Sequence, residues 1–363
     1  MRILYLSRLE NEGFAGLTYS VPNQVKAQAQ FDTVHWHNLK IAERDEWRNT
    51  GLFTNENDFH FSLRCYEKMY WKPDLIVFEG FYAFHPTVLL LSILMSRIPY
   101  VIVPRCAFTM GDQKKKRIKK LICNFLFYKW FSRNALAVQY LTNKECEDSK
   151  GNWNSRYFIE PNGIDVNIDK PKDRCSNFPI RISYIGRLEM YQKGLDILLS
   201  GISRFYEKYG TDNLRIDIYG NSVSGSAETI KNYLAENKLS KFVKVHDPVF
   251  DKNKESILMK SDYFLLTSRY EGMPMGLLEA CSYGIPVIVT PGTNMSHEIQ
   301  SMDAGFVCDL TPDSIANALI EAAEADSDEY RKLSRGALVV ANLFSWEKIA
   351  RNTHYDLAKF RNL

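Results

Sequence analysis

The sequence predicts an α/β protein built from two doubly wound parallel sheets with a cleft between them. Three observations predict it. Short apolar runs of strand length alternate with helical patterns from end to end, at least five strands in each half. The chain has 363 residues, the length of two ordinary domains rather than one. A polar, charged stretch with two prolines, residues 169–179, separates the halves. We therefore place one domain at 1–168 and a second at 169–344.

The first half opens with strand 3–7, a loop holding Gly13 and Gly16, and a helix over 21–30. Strand, glycine loop and helix begin many nucleotide-binding domains. The spacing is not G-x-G-x-x-G, so a simple strand-to-helix turn is the alternative. Residues 33–37 read as a second strand, and 38–72 are irregular and aromatic. Strand 73–78, helix 85–95 and strand 100–104 follow, and the last leads into Arg105 and Cys106. Loops at the carboxyl ends of parallel strands are where such sheets bind ligands, so Arg105 is a candidate substrate contact; a structural ion pair is the other reading. Residues 135–141 form a strand, 143–149 a helix, and 157–160 a strand ending at Pro161-Asn162-Gly163-Ile164-Asp165.

The second half repeats the alternation. Strands are expected at 180–185, 214–219, 243–246, 263–266, 286–290 and 306–308. Helices are expected at 195–209, 227–237, 253–259, 312–325 and 328–343. Ser345 is an N-cap candidate for a last helix, with Lys348 rather than an acid at the third helical position.

Composition excludes several classes. The formal net charge is only +3, which argues against a whole-surface nucleic-acid binder. Cys65, Cys106, Cys123, Cys146, Cys175, Cys281 and Cys308 are odd in number and scattered, without metal-type spacing, so they read as reduced thiols of a cytoplasmic protein. The opening residues look like a first strand rather than a signal peptide. The apolar window 88–103 is broken by Ser96, Arg97 and Pro99 and falls short of the ~20 residues a span needs. From Lys114 to Phe131 a basic run feeds an aromatic, partly amphipathic helix. That pattern suits peripheral contact with an anionic membrane, at the inner face of the plasma membrane; the alternative is a core helix with a solvated basic start. No nucleic-acid motif accompanies it.

Three strand-end loops of the second half carry the chemistry. One holds Gly186, Arg187 and Lys193, the next Asn221, and the third runs from Glu271 through Gly272, Met273, Pro274, Met275, Gly276 and Leu277 to Glu279. In a parallel sheet all three share one edge. Two cations beside a helix N-terminus would hold a diphosphate. A carboxylate further along could chelate a ribose diol, leaving the other for a sugar. No metal is called for. Asp326-Ser327-Asp328 falls between helices and reads as solvated charge.

These segments resemble the retaining glycosyltransferases of family four, which have the GT-B fold. Gly186-Arg187-Leu188 with Lys193-Gly194-Leu195-Asp196 is similar to that family's Gly-Arg-Leu…Lys-Gly-x-Asp segment. Glu271 and Glu279, with seven residues between them, match its Glu-x7-Glu motif. Pro161-Asn162-Gly163-Ile164-Asp165 is similar to its hinge loop, Pro104-Arg105 to its Pro-Arg-Gly turn, and Ser345-Trp346 to the start of its last helix. The resemblance implies that helix 345–363 crosses back to complete an N-terminal acceptor domain, while 169–344 forms the donor domain. It implies that Arg187 and Lys193 neutralise the donor diphosphate, that Glu279 binds the ribose, and that Glu271 faces the donor sugar near its 3- and 4-hydroxyls. The backbone from Gly272 to Leu277 would touch sugar and phosphate, Gly16 would let the first loop approach the ligands, and Arg105 would lie on the acceptor side. Cofactors are not implied; a nucleotide-diphosphate sugar is the substrate and a glycan or polyprenyl-linked molecule the acceptor, in surface polysaccharide synthesis. Met273-Pro274-Met275 is similar to members that use uridine-linked sugars. Cys106 stands where the turn has glycine, Arg105 where many members have histidine, and Asp247 where glycine is usual.

Other functions remain open on sequence. A nicotinamide dehydrogenase would need a tight dinucleotide fingerprint, which neither half shows. A non-hydrolysing sugar-nucleotide epimerase would bind the same donor, as would a non-catalytic sensor.

Overall fold

The computed structural model describes residues 1–10, 16–56, 61–82, 88–114, 117–149, 153–174, 179–210 and 213–361. Gly13, Lys115, Lys116 and Cys175, all singled out above, lie outside them. The chain forms two units, one of residues 1–163 with 346–363 and the other of residues 164–345.

The first unit holds seven strands: β1 Arg2–Ser7, β2 Thr33–Asn38, β3 Phe53–Asn55, β4 Leu75–Glu79, β5 Tyr100–Val103, β6 Ala137–Tyr140 and β7 Tyr157–Ile159. They pair in the order β3-β2-β1-β4-β5-β6-β7, every pair parallel. β4, β5 and β6 are buried at every residue, which is why they read as unbroken apolar runs rather than alternating ones. The second unit holds β8 Ile180–Ile185, β9 Leu214–Tyr219, β10 Val243–His246, β11 Tyr263–Leu266, β12 Val287–Val289 and β13 Gly305–Val307. Their order is β10-β9-β8-β11-β12-β13, again parallel throughout. Each sheet reverses strand order once, at β1/β4 and at β8/β11. The loops that leave two such neighbouring strands diverge and leave room for a ligand.

Three differences from the expected elements have physical causes. The region 38–72 is not wholly irregular: it contains helix Asp45–Arg48, β3 and helix Leu63–Met69, with Trp47 buried against Trp36 and Phe53. Elements this short carry no readable period. The basic-aromatic helix is not uniformly α-helical: Arg117–Cys123 runs into a π-helical turn, Asn124–Tyr128, and on into Lys129–Asn134, with helix Met110–Lys114 ahead of it. The first crossing between units comes after Gly163 rather than after Ile168. Residues 164–168 already bond to the second unit: the Ile164 amide donates to the Phe344 carbonyl at 2.8 Å, and the Asn167 side chain to Ser282 Oγ at 2.7 Å. The last helix is Trp346–Arg361 and packs with helix Gly16–Gln28 in the first unit.

Glu160, just past β7, is 6% exposed and leaves one carboxylate oxygen without a hydrogen-bond partner among the described residues. Burial, with the nearby Asp356 carboxylate, pushes it up to about 8. The folded-state value lies above that of an unfolded carboxylate, about 4.3. Protonated Glu160 therefore favours the folded state in full below that value, and the gain is lost as pH rises through about 8. We expect the melting temperature to fall between pH 5.5 and 8.5, and Glu160→Gln to flatten that fall. A slope unchanged by the substitution would contradict the assignment.

Candidate functional site

The site of the second unit forms where β8 and β11 part. β8 leads into residues 186–194, and the helix Leu195–Tyr209 begins at once. Gly194 takes φ +64°, and a Cβ there would lie 2.0 Å from the Thr267 carbonyl oxygen. Only glycine lets this loop lie against the strand end that carries Thr267. The two loops are then tied together. The Arg269 amide donates to the Gln192 carbonyl at 2.8 Å, and Thr267 Oγ1 to the Lys193 carbonyl at 3.2 Å. The Arg269 guanidinium grips Asp196 through two parallel bonds of 2.7 Å and lies over the Tyr191 ring. Burial raises the Asp196 carboxyl, but these bonds to Arg269 outweigh that and leave it below the usual range. The aspartate of Lys193-Gly194-Leu195-Asp196 is thus a clamp between the loops.

That scaffold sets Lys193 against Glu271. Lys193 Nζ forms an ion pair with Glu271 Oε1, with side chains only 12% and 10% exposed. Ser268 Oγ donates to the same oxygen at 2.6 Å, and the Asn294 amide donates to the Glu271 carbonyl. Asn294 comes from the loop after β12, which packs tightly because a Cβ at Gly292 would lie 2.1 Å from the Ser268 oxygen. Arg187 is exposed and reaches Gln192 Oε1 at 3.4 Å. The Leu188 amide donates to the Asn221 carbonyl at 2.8 Å, so the loop after β9 joins the group. Asp247, after β10, is exposed.

Glu271 leads through Gly272, Met273 and Pro274 into helix Met275–Ser282. Pro274 sits at its N-cap, and no side chain caps it. The first N–H groups of a helix lack intrahelical partners, and here no side chain stands in for a ligand. Met275, Gly276 and Leu277 form its first turn. Glu279 lies on the next turn and pairs with Lys254, from helix Asp251–Lys260. Of the expected residues, Arg187, Lys193, Asn221, Glu271, Gly272 to Leu277 and Glu279 thus fall on one edge of one unit. Sequence reasoning missed Lys254, Ser268 and Asn294. Nothing marked Lys254 among the charges of its helix, whereas Ser268 lies three residues before Glu271, on the loop that leads into the Glu-x7-Glu motif.

In the first unit Arg105 is buried, with its side chain 7% exposed. Its guanidinium bonds Glu79 at 2.8 Å, Gln24 at 2.9 Å, Ser20 at 3.3 Å, and Asn162. This is the structural ion-pair reading of Arg105. The next residue, Cys106, takes φ +68°, the region that favours glycine, which explains why glycine belongs at this turn. Burial pushes the Cys106 thiol up to about 12. Gly16 begins the first helix, and the loop residues 11–15 before it lie outside the described ones. Asp326 is the N-cap of helix Ser327–Leu343, accepting from the Asp328 and Glu329 amides at 3.0 and 2.9 Å. Among the described residues no cluster of three His, Cys, Asp or Glu could hold a metal ion.

Residues 179–325 match the family described as Glycosyl transferases group 1. Mannosylfructose-phosphate synthase of Agrobacterium fabrum is 29% identical over 173 residues, 46% of this chain and 38% of that protein. The capsular polysaccharide biosynthesis glycosyltransferase CapH of Staphylococcus aureus is 27% identical over 192 residues, 52% of each chain. The chain thus spans about two fifths and one half, respectively, of these two curated relatives. The structure of Anabaena HepE in complex with UDP and glucose superposes with a TM-score of 0.74 over 99% of this chain and all of the other, at 14% identity, a likeness of fold. The chain therefore has the GT-B fold of two Rossmann-like domains, and its residues 179–325 are similar to Glycosyl transferases group 1.

Proposed function

We propose that this protein is a retaining glycosyltransferase. It moves a sugar from a nucleotide-diphosphate donor to a hydroxyl of a glycan or lipid-linked acceptor in surface polysaccharide synthesis, without a metal. The observation that carries the reading is the meeting of Arg187, Lys193 and Glu271 where β8 and β11 part. UDP is the favoured nucleotide, as in the bound ligand of the Anabaena protein. A capsular polysaccharide enzyme among the relatives supports the acceptor class.

The chemistry follows from the charges. The bond between the sugar's anomeric carbon and the diphosphate oxygen breaks, and negative charge builds on the departing phosphate. Lys193 and Arg187 hold that charge, assisted by the open start of helix Met275–Ser282. The acceptor oxygen bonds to the anomeric carbon on the face the phosphate leaves, and its proton passes to the phosphate. Glu279 orients the ribose and Glu271 the sugar hydroxyls. Arg105 serves the acceptor side by holding the loops around Glu79 and Asn162 in place.

The basic-aromatic segment supports peripheral membrane contact at the cytoplasmic face. Ile118, Leu121, Ile122, Phe125, Leu126 and Trp130 are between 51% and 86% exposed, a patch that water disfavours. Arg117, Lys119, Lys129 and Arg133 are exposed beside it, and no acid occurs between Asp112 and Glu145. Lys120 is held instead by Asp112 at 2.6 Å. Among the described residues no helix is long and apolar enough to cross a membrane.

We expect Arg187→Ala to lower transfer from a UDP-sugar about 10²-fold or more, as for loss of a transition-state charge partner, and Glu279→Ala to lower it comparably through loss of the ribose contact, while each melting curve keeps its shape. Unchanged transfer in either would contradict the site, and donor isomerisation without acceptor would point to an epimerase. Binding to vesicles containing anionic lipid should weaken as salt rises and when the cations of residues 114–120 are neutralised. Binding indifferent to both would contradict the membrane contact.

A further inference from the structure

The second sheet is covered unevenly. Along β9, Leu214, Ile216 and Ile218 are buried, whereas Arg215, Asp217 and Tyr219 stay partly exposed. Register sets Arg181 beside Arg215 and Ser183 beside Asp217, so these side chains share one face. A cavity of about 190 Å³ lies there, lined by Arg181, Ser183, Arg215, Asp217, Lys260 and Ser261 among others. Arg181 and Arg215 stand near the starts of β8 and β9, whereas Arg187 and Lys193 follow the far end of β8. This cavity is separate from the donor site.

The charges favour an anion. Three cations face one carboxylate. That carboxylate, Asp217, is already matched by Arg215 at 3.1 Å and by a bond of 2.6 Å to His246. Arg181 and Lys260 form no ion pair among the described residues. Ser183 adds an independent observation. It is 2% exposed, and its hydroxyl is buried without a hydrogen-bond partner among the described residues. Buried polar groups are nearly always partnered, so an orphaned hydroxyl beside a cavity points to an absent acceptor. An acceptor flanked by two unpaired cations and a third is an oxyanion.

We propose that this cavity binds a phosphate group, as inorganic phosphate or as a small phosphomonoester, with Arg181, Arg215 and Lys260 on its oxygens and Ser183 donating to it. Calorimetric titration with inorganic phosphate, at constant ionic strength against chloride, tests this in the Arg187→Ala/Lys193→Ala background, where the donor-side grip is removed. One saturable site is expected there. Arg181→Ala with Lys260→Ala should weaken it at least tenfold; both side chains are exposed, so the fold does not depend on them. Ser183→Ala should weaken it several-fold with an unchanged circular dichroism spectrum. Glucose 6-phosphate binding tenfold tighter than inorganic phosphate assigns the site to a monoester, and equal affinity assigns it to phosphate itself. No saturable binding, or binding unaffected by the Arg181/Lys260 pair, overturns the proposal. Either result leaves the donor-site reading untouched, because the background lacks that site's cations.

Discussion

The pairing of Lys193 with Glu271 joins the two loops on which the second unit's site is built. It brings a cation and a carboxylate into a partly enclosed place, each less than one eighth exposed. A pair so placed holds geometry more than it adds stability, because desolvation offsets much of the attraction. The ties around it share the work: Gly194 permits the approach, Arg269 and Asp196 lock it, and Asn294 closes it from the next loop. Lys254 and Glu279 repeat the arrangement one turn further on. Lys193, Glu271, Lys254 and Glu279 are thus satisfied internally, while Arg187 stays exposed beside Gln192, and in the proposed reaction a diphosphate exchanges partners with the two pairs rather than entering an empty cationic socket. In the proposed reaction this exchange releases Glu271 toward the sugar at the moment Lys193 turns to phosphate.

The two units use buried charge differently. In the second unit the ion pairs line a strand-end edge, and in the proposed reaction they are traded for ligand. In the first, Arg105 is bonded to Glu79, Gln24, Ser20 and Asn162 at once. Loss of one partner from such a group leaves a buried charge uncompensated, so the arginine is bound to its own fold. Cys106 accepts the left-handed backbone of the same turn without glycine's freedom.

Much of the second unit was legible in the sequence, because β11 and β12 are uninterrupted apolar runs, β8, β9 and β10 alternate apolar with polar residues, and its candidate loops each follow a strand. The expected bounds of β8, β9, β10 and β11 coincide with the observed ones. What was not legible is either too short or too distant. β3 and helix Ser296–Ser301 have too few residues to show a period. The π-helical turn at Asn124–Tyr128 leaves the residue pattern unchanged. Lys254 meets Glu279, and Arg105 meets Ser20 and Gln24, only after folding, and no spacing rule connects them. The alternation of Leu214, Arg215, Ile216 and Asp217 along β9 acquires a meaning only when Ser183 and Arg181 lie beside it.

A crystal structure with an intact, unreactive UDP-sugar analogue tests the exchange of partners most directly. We expect Lys193 Nζ to lie within hydrogen-bond distance of a diphosphate oxygen, and the Glu271 carboxylate to have left it for a hydroxyl of the sugar. A bound donor with the Lys193–Glu271 pair intact, and the diphosphate held by other groups, would contradict this.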